Sequence, residues 1–209
     1  MMRDRHSPRL RMPDLALFDF DGTITTRETF PDFMRFAVPP TRLAIGKVLL
    51  APLIAGYRIG AIPGVRVRAR IVRFGMRGMA EAHYLELGRR FANEVLPGVI
   101  RAEALDRVAW HRRHGDEVVV VSGGFDAYLV HWCAAHGLAL ACSSLEARDG
   151  HLTGDYRGAQ CVREEKVRRV RESYDLAAFD HIHAYGDTKE DLEMLRIANR
   201  RYYQWREVA

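Results

Sequence analysis

Three short apolar runs of this chain end in polar groups able to do chemistry together. Asp19 and Asp21 close Leu15–Phe20, Ser122 and Gly123 follow Glu117–Val121, and Asp187 follows His181–Tyr185 with Asp191 one helical turn on. Carboxylates gathered in this number repel one another unless a cation sits among them. Hard oxygen ligands with room for water suit Mg²⁺, which typically takes one or two carboxylates plus substrate phosphate. A cation so held neutralises the oxygens of a phosphate ester and lets an anion approach phosphorus. Ser122 and Lys166 are candidates to complete an oxygen cradle, and Gly123, lacking Cβ, lets its backbone N–H come close.

For these groups to meet, the runs that carry them must be parallel strands ending at one edge, where open α/β sheets bind ligands. Leu15–Phe20 reads as a buried strand followed by the turn Asp21-Gly22-Thr23, and the four valines of Glu117–Val121 suit a strand buried on both faces. Phe125–His136 reads as a helix stopped by Gly137, with Ser122 as its N-cap. Leu138–Cys142 is a third strand, and Leu145–Arg148 with His151–Asp155 a hairpin around Asp149-Gly150. Val162–Tyr174, Val99–His114 and Lys189–Ala198 have helical periodicity, and His181–Tyr185 is a further strand. The alternation predicts an α/β fold with a doubly wound, mostly parallel sheet.

Between the first two strands, residues 28–95 show helical periodicity and no alternation, as in Met79–Val95. This insertion is expected to hang over the carboxyl edge of the sheet. Within it, Leu43–Pro63 is apolar apart from Lys47 and Arg58, and Val48–Tyr57 is charge-free. Such a run is roughly half of what a bilayer-spanning helix needs. A buried helical hairpin is the plainer expectation; an interfacial element touching a membrane, helped by Arg66, Arg68, Arg70 and Arg73, is the sharper one.

The whole chain of 209 residues, 48% apolar and 28% charged, is ordinary for one folded domain with an insertion, and excludes disordered, collagenous and repeat architectures. Its three cysteines, Cys133, Cys142 and Cys161, form no C-x-x-C pair, which argues against a disulfide framework or structural zinc. None of the nine histidines has zinc-enzyme spacing; His181 and His183 share one strand face and read as core or edge residues. The net charge of +5 is uneven: residues 27–94 carry +7 and the remainder −2. A basic middle segment suits an anionic partner, or simply solvated arginines on helix faces. Met1–Pro13 has Arg3, Arg5, Arg9 and Arg11 without an apolar core, which is not a secretory pattern, so a cytoplasmic setting is expected. Tyr202, Tyr203 and Trp205 read as packing for a terminal strand rather than a stacking platform.

Phe18-Asp19-Phe20-Asp21-Gly22-Thr23, Val121-Ser122-Gly123-Gly124, Lys166 and Gly186-Asp187-Thr188-Lys189-Glu190-Asp191 resemble, in order and context, the four motifs of the haloacid dehalogenase (HAD) superfamily. Val121–Asp126 and Asp149–Asp155 resemble its phosphoserine-phosphatase-like branch (subfamily IB), and the insertion resembles that superfamily's cap. The resemblance implies a Rossmann-like core of residues 15–27 and 96–209, a helical cap of 28–95 and a basic flexible tail of 1–14. It implies Asp19 as nucleophile forming an aspartyl-phosphate, and Asp21 as general acid and then base. Mg²⁺ would be held by Asp19, the backbone carbonyl of Asp21 and Asp187, with Asp191 orienting metal waters or Lys166 from behind. Ser122 and Lys166 would bind phosphoryl oxygens; Thr23, Glu28, Gly123 and Arg70 are the substrate-binding candidates, Glu28 matching the acid that holds the substrate ammonium in that branch. Arg68 is the other candidate for a substrate carboxylate. Two departures stand out: Glu190 replaces the branch's usual Asn, and the cap is longer and more apolar, closer to members that dephosphorylate phosphatidylglycerophosphate.

The expected function is a Mg²⁺-dependent phosphomonoester hydrolase for a small phosphorylated metabolite such as phosphoserine. The close rival is a lipid-phosphate phosphatase in peripheral contact with an anionic membrane, at its inner face. A phosphotransferase, or a non-catalytic anion binder, are the further alternatives; nucleic acid is disfavoured as a partner.

Overall fold

The computed structural model describes residues 12–209. The first strand, β1 (Leu15–Phe18), is wholly buried. The insertion follows as five helices: α1 (Phe30–Ala37), α2 (Pro40–Leu49), α3 (Ala51–Arg58), α4 (Gly64–Met76) and α5 (Glu81–Glu94). The core resumes with α6 (Ala102–Arg113), β2 (Glu117–Phe125), α7 (Asp126–His136) and β3 (Ala139–Ser143). The hairpin β4 (Leu145–Arg148) and β5 (His151–Tyr156), α8 (Glu164–Ser173), β6 (Ile182–Gly186), α9 (Leu192–Arg196), β7 (Arg200–Tyr203) and β8 (Arg206–Val208) complete it.

Six strands form one sheet in the order β3-β2-β1-β6-β7-β8, parallel except for β8. The order reverses at β1, whose neighbours are β2 and β6, so the carboxyl ends of these three strands flank one crevice. Phe18 pairs with Val120 on one side and Tyr185 on the other, which levels Asp19 with the Ser122 and Asp187 loops. The doubly wound α/β expectation therefore holds.

Local chemistry explains the element ends. Gly137, in the left-handed region at φ +63°, ends α7 by taking its N–H back to Cys133 and Ala134 carbonyls. Asp149 and Gly150, both at positive φ, make the tight turn between β4 and β5. The expected N-cap role of Ser122 is corrected: β2 runs on to Phe125, which caps α7, and Ser122 Oγ instead accepts the Gly124 N–H at 2.9 Å. The helix expected over Lys189–Ala198 opens as a tight 3₁₀ turn, because Thr188 and Asp191 close a reciprocal capping box there.

Of the expected tail 1–14, residues 1–11 lie outside the described residues. Its last residue is corrected: Asp14 is buried, accepts the His181 N–H at 3.1 Å and donates its own N–H to Asp116 at 3.3 Å. Near it, His111 is enclosed between Asp116 (Nδ1 to Oδ2, 2.7 Å) and the Tyr185 hydroxyl (Nε2, 2.9 Å). Tyr202 stacks on Tyr185 at 4.5 Å, and Trp205 donates to the Thr23 carbonyl at 3.2 Å, so the C-terminal aromatics pack a terminal strand as expected.

The insertion leaves and rejoins the core through two strands of chain that bond to each other, Thr26 N–H to Val99 O at 2.8 Å and Arg101 N–H to Ile24 O at 2.9 Å. Inside it, Phe33 and Phe91 pack edge to face with each other and contact Tyr128 of α7. Gly88 on α5 lies so close to α7 that a Cβ there would sit 2.1 Å from the Ala127 carbonyl oxygen. The expectation of a buried hairpin at Leu43–Pro63 is corrected in part. A helical hairpin forms, α2 and α3, but of residues 40–58 only Gly46 is buried; Leu43, Leu50, Leu53 and Ile54 are half-buried, and Ile45, Val48, Leu49 and Tyr57 stand in solvent. Among the described residues no helix is long and apolar enough to cross a membrane.

Candidate active site

At the crevice beside β1, Lys166 is fully buried and reaches Asp19 Oδ1 at 2.5 Å and Asp191 Oδ1 at 2.6 Å. One ammonium between two carboxylates neutralises only one of them. At Asp191 burial is outweighed by Lys166 and by the N–H groups of Thr188 and Asp187, and its carboxyl is held below the ordinary range. Asp19 has no such N–H donors among the described residues. Burial and the charge of Asp191 push it well up, against the pull of Lys166. Burial and Asp191 also push Asp187 up to about 6.

Asp19, Asp187 and Asp191 each bring a carboxylate oxygen within 4.8 Å of the others. Asp191 has spent its oxygens, Oδ1 on Lys166 and Oδ2 on Asp187 N–H, Thr188 N–H and the Thr188 hydroxyl. Asp19 Oδ2 and the Asp187 carboxylate remain, hard oxygen donors in a site with more acids than cations, and this donor set fits a small divalent cation. Gly22 at φ +80° makes room for the Asp187 carboxylate: a Cβ there would collide with its Oδ2 at 2.2 Å. The loop is braced by Arg101, whose guanidinium donates to the carbonyls of Thr25 and Gly22.

Asp21 faces the same pocket, a narrow cleft also walled by Asp19, Gly123, Lys166 and Val162. Its Oδ1 accepts the Thr29 N–H at 2.7 Å and the Thr29 hydroxyl at 2.5 Å, while Thr29 in turn meets the Tyr128 hydroxyl at 3.0 Å. Burial outweighs these bonds and raises Asp21, which favours a protonated acid beside an entering ester. At Gly123 a Cβ would press Val162 at 3.0 Å and approach Arg68 at 3.4 Å, so the glycine keeps this wall thin.

The outer wall holds Glu28, Phe30, Arg68 and Glu190. Arg68 lies over the Phe30 ring at 5.9 Å, and both terminal nitrogens are 3.4 Å from Glu190 Oε2. Burial of its carboxyl at the pocket mouth and the charge of Asp21 push Glu28 up to about 7, tempered by the solvent that reaches its exposed side chain.

The structure thus gathers Asp19, Asp21, Glu28, Gly123, Lys166 and Asp191 at one pocket, with Asp187 beside Asp19; Ser122, next in the chain to Gly123, is fully buried and does not line it. Two candidates are corrected. Thr23 is buried and donates to Asp187 Oδ1 at 3.2 Å, so it positions that carboxylate instead of touching substrate. Arg70 points to solvent, and Arg68 stands in the pocket. Helical phase carries that signal: Arg68 shares a face with buried Val72, Gly75 and Met76, whereas Arg70 lines up with exposed Arg66, Arg73 and Arg77. Thr29 and Tyr128 were not foreseen; Thr29 sits just before Phe30-Pro31, where a helix start draws attention to a hydroxyl.

Comparison with known proteins places this geometry. The sequence pattern of the haloacid dehalogenase-like hydrolases matches residues 16–196. The protein CicA of Caulobacter vibrioides is 31% identical over 202 residues, 92% of this chain and 86% of that one. A histidinol-phosphatase of Neisseria meningitidis is 27% identical over 139 residues, 63% of this chain and 60% of that one. A solved phosphoserine phosphatase, described as a phospho-aspartyl intermediate analogue, superposes with a TM-score of 0.67 at 22% identity, covering 92% of this chain and 87% of that one. That last likeness is one of fold.

Proposed function

The chain belongs to the haloacid dehalogenase-like hydrolases and is a phosphomonoester hydrolase, and we propose that it works through an aspartyl-phosphate on Asp19 with Mg²⁺ as cofactor. The observation that carries this reading is Lys166 clasped between Asp19 and Asp191 beside an Asp21 whose carboxyl burial raises.

In this reading an Asp19 carboxylate oxygen attacks phosphorus and the ester P–O bond breaks, while Asp21 passes its proton to the departing alkoxide. Asp21, now a base, takes a proton from a water that attacks the acyl phosphate, releasing inorganic phosphate and restoring Asp19. Lys166, the Ser122 hydroxyl and the Gly123 N–H would hold the phosphoryl oxygens. Asp19, the main-chain carbonyl of Asp21 and Asp187 would hold Mg²⁺, which supplies the positive charge that lets two anions meet. Asp191 keeps Lys166 in place and closes the turn that presents Asp187.

For the substrate, a small phosphorylated metabolite with an amine suits the pocket best, because Glu28 and Glu190 outnumber Arg68 at the leaving-group end. Phosphoserine is one such molecule. A second reading, a lipid phosphate such as phosphatidylglycerophosphate, is favoured by the apolar groove of Ile54, Tyr57, Val67 and Ile71 that opens beside Phe30 and Arg68. The test is hydrolysis of p-nitrophenyl phosphate with Mg²⁺, expected to vanish with EDTA or Asp19→Asn. A folded, Mg²⁺-loaded chain that turns over no phosphate ester sinks the assignment. A panel of phosphorylated amines and phosphatidylglycerophosphate then separates the two substrate readings.

A further inference from the structure

We propose that the α2–α3 hairpin is a docking face for an anionic membrane surface. The inference goes beyond the catalytic reading and holds for either class of phosphate ester.

The hairpin is apolar on both sides. Its inner side combines half-buried Leu43, Leu50 and Ile54 with glycines: a Cβ on Gly46 would strike the Phe74 ring at 2.7 Å, and one on Gly56 would strike Ile62 at 2.6 Å. A second set of apolar side chains is left in water. Val48 is 75% exposed, Leu49 63% and Ile59 82%, with Ile45 and Tyr57 also more than half exposed. A folded chain rarely leaves so many large apolar groups together in water unless something covers them. At ten and eight residues, α2 and α3 are too short to span a bilayer but suited to lie in its interface.

Charge identifies the cover. From residue 33 to residue 80 the chain has no Asp or Glu, yet it carries nine Arg and Lys. Lys47 and Arg58 stand within the hairpin itself, both exposed, and exposed Arg66 and Arg70 follow on the next helix, whereas Arg73 there is already paired with Asp155. A two-fold contact of the hairpin with a second copy would set Lys47 and Arg58 against themselves, with no acid on the hairpin to pair them. Anionic headgroups supply the missing charge, while the apolar side chains enter the acyl boundary.

The test is sedimentation of the full chain with vesicles of phosphatidylcholine alone and of phosphatidylcholine with phosphatidylglycerol, at low and high salt. Binding is expected on the anionic vesicles at low salt, and release at high salt. Val48→Glu/Leu49→Glu/Ile59→Glu, at exposed positions, is expected to abolish binding with an unchanged unfolding midpoint. Lys47→Gln/Arg58→Gln is expected to weaken binding about thirtyfold, from about fivefold for each of the two cations. No sedimentation of the parent chain overturns the proposal, as does undiminished binding of the apolar variant. Should that variant not fold, undiminished binding of the charge variant overturns it instead. A vesicle-free dimer in ultracentrifugation, dissolved by the apolar substitutions, would assign the face to a second copy and also overturn it.

Discussion

The Asp21 carboxylate takes both donors of Thr29, backbone N–H and hydroxyl, on a single oxygen. Bonds of this kind favour the ionised form and oppose the burial that raises Asp21. Removing the hydroxyl with Thr29→Ala therefore raises Asp21 further, and the alkaline limb of kcat/KM on an alkyl phosphate should move to higher pH. Asp21→Asn should lower kcat by roughly 10²–10⁴-fold on the same ester, the range of general acid–base catalysis. A pH–rate profile of Thr29→Ala that overlays the parent would deny the coupling.

Lys166 is the counter-ion of two buried carboxylates. Lys166→Met leaves both without it, and the expected loss is roughly 3–5 kcal/mol of stability together with activity. Urea unfolding with and without Mg²⁺ measures this: added Mg²⁺ should restore part of the lost stability, because it supplies positive charge to Asp19. A variant as stable as the parent in EDTA would show that the pair is not ionised as described.

Arg68 is tied to Glu190 in a partly open pocket. Glu190→Gln frees it for a substrate carboxylate. The ratio of kcat/KM for phosphoserine to that for phosphoethanolamine, which lacks the carboxylate, should rise about tenfold, the worth of roughly one freed charge there. An unchanged ratio means that Arg68 does not read the leaving group.

His111 is enclosed by Asp116 and Tyr185, and the arrangement is satisfied when Nδ1–H donates to Asp116 and Nε2 accepts the Tyr185 hydroxyl. Burial, outweighing Asp116, lowers His111 to about 4 against 6.5 in an open chain. Between those values the unfolded chain binds a proton that the folded one refuses, so stability falls as pH falls from about 6.5 towards 4. The expected loss is up to about 3 kcal/mol. Urea midpoints at pH 7.5, 5.5 and 4.5 should record it, and His111→Gln should flatten the dependence in that window.

The sheet and its catalytic edge were legible because buried parallel strands leave unbroken runs such as Val118–Val121, and the chain must turn sharply where each run ends. Glycines and acids at those turns therefore declared themselves. Thr29 did not, since its partner Asp21 lies eight residues away across a loop with no periodicity. Arg68 and Arg70 differ only in helical phase, which residue counting along α4 resolves once its buried face is known. The open hairpin was least legible: apolar composition predicts burial, and only the packing of Gly46, Leu43, Leu50 and Ile54 shows which side was taken and that Ile45, Val48 and Leu49 were left over.

Gly88 brings α5 against the main chain of α7 with no side chain between them. A side chain at position 88 would push the insertion off α7, and with it Glu28, Phe30 and Arg68, the three pocket walls that the insertion lends. The shape of the cleft therefore leans on a residue that lines none of it.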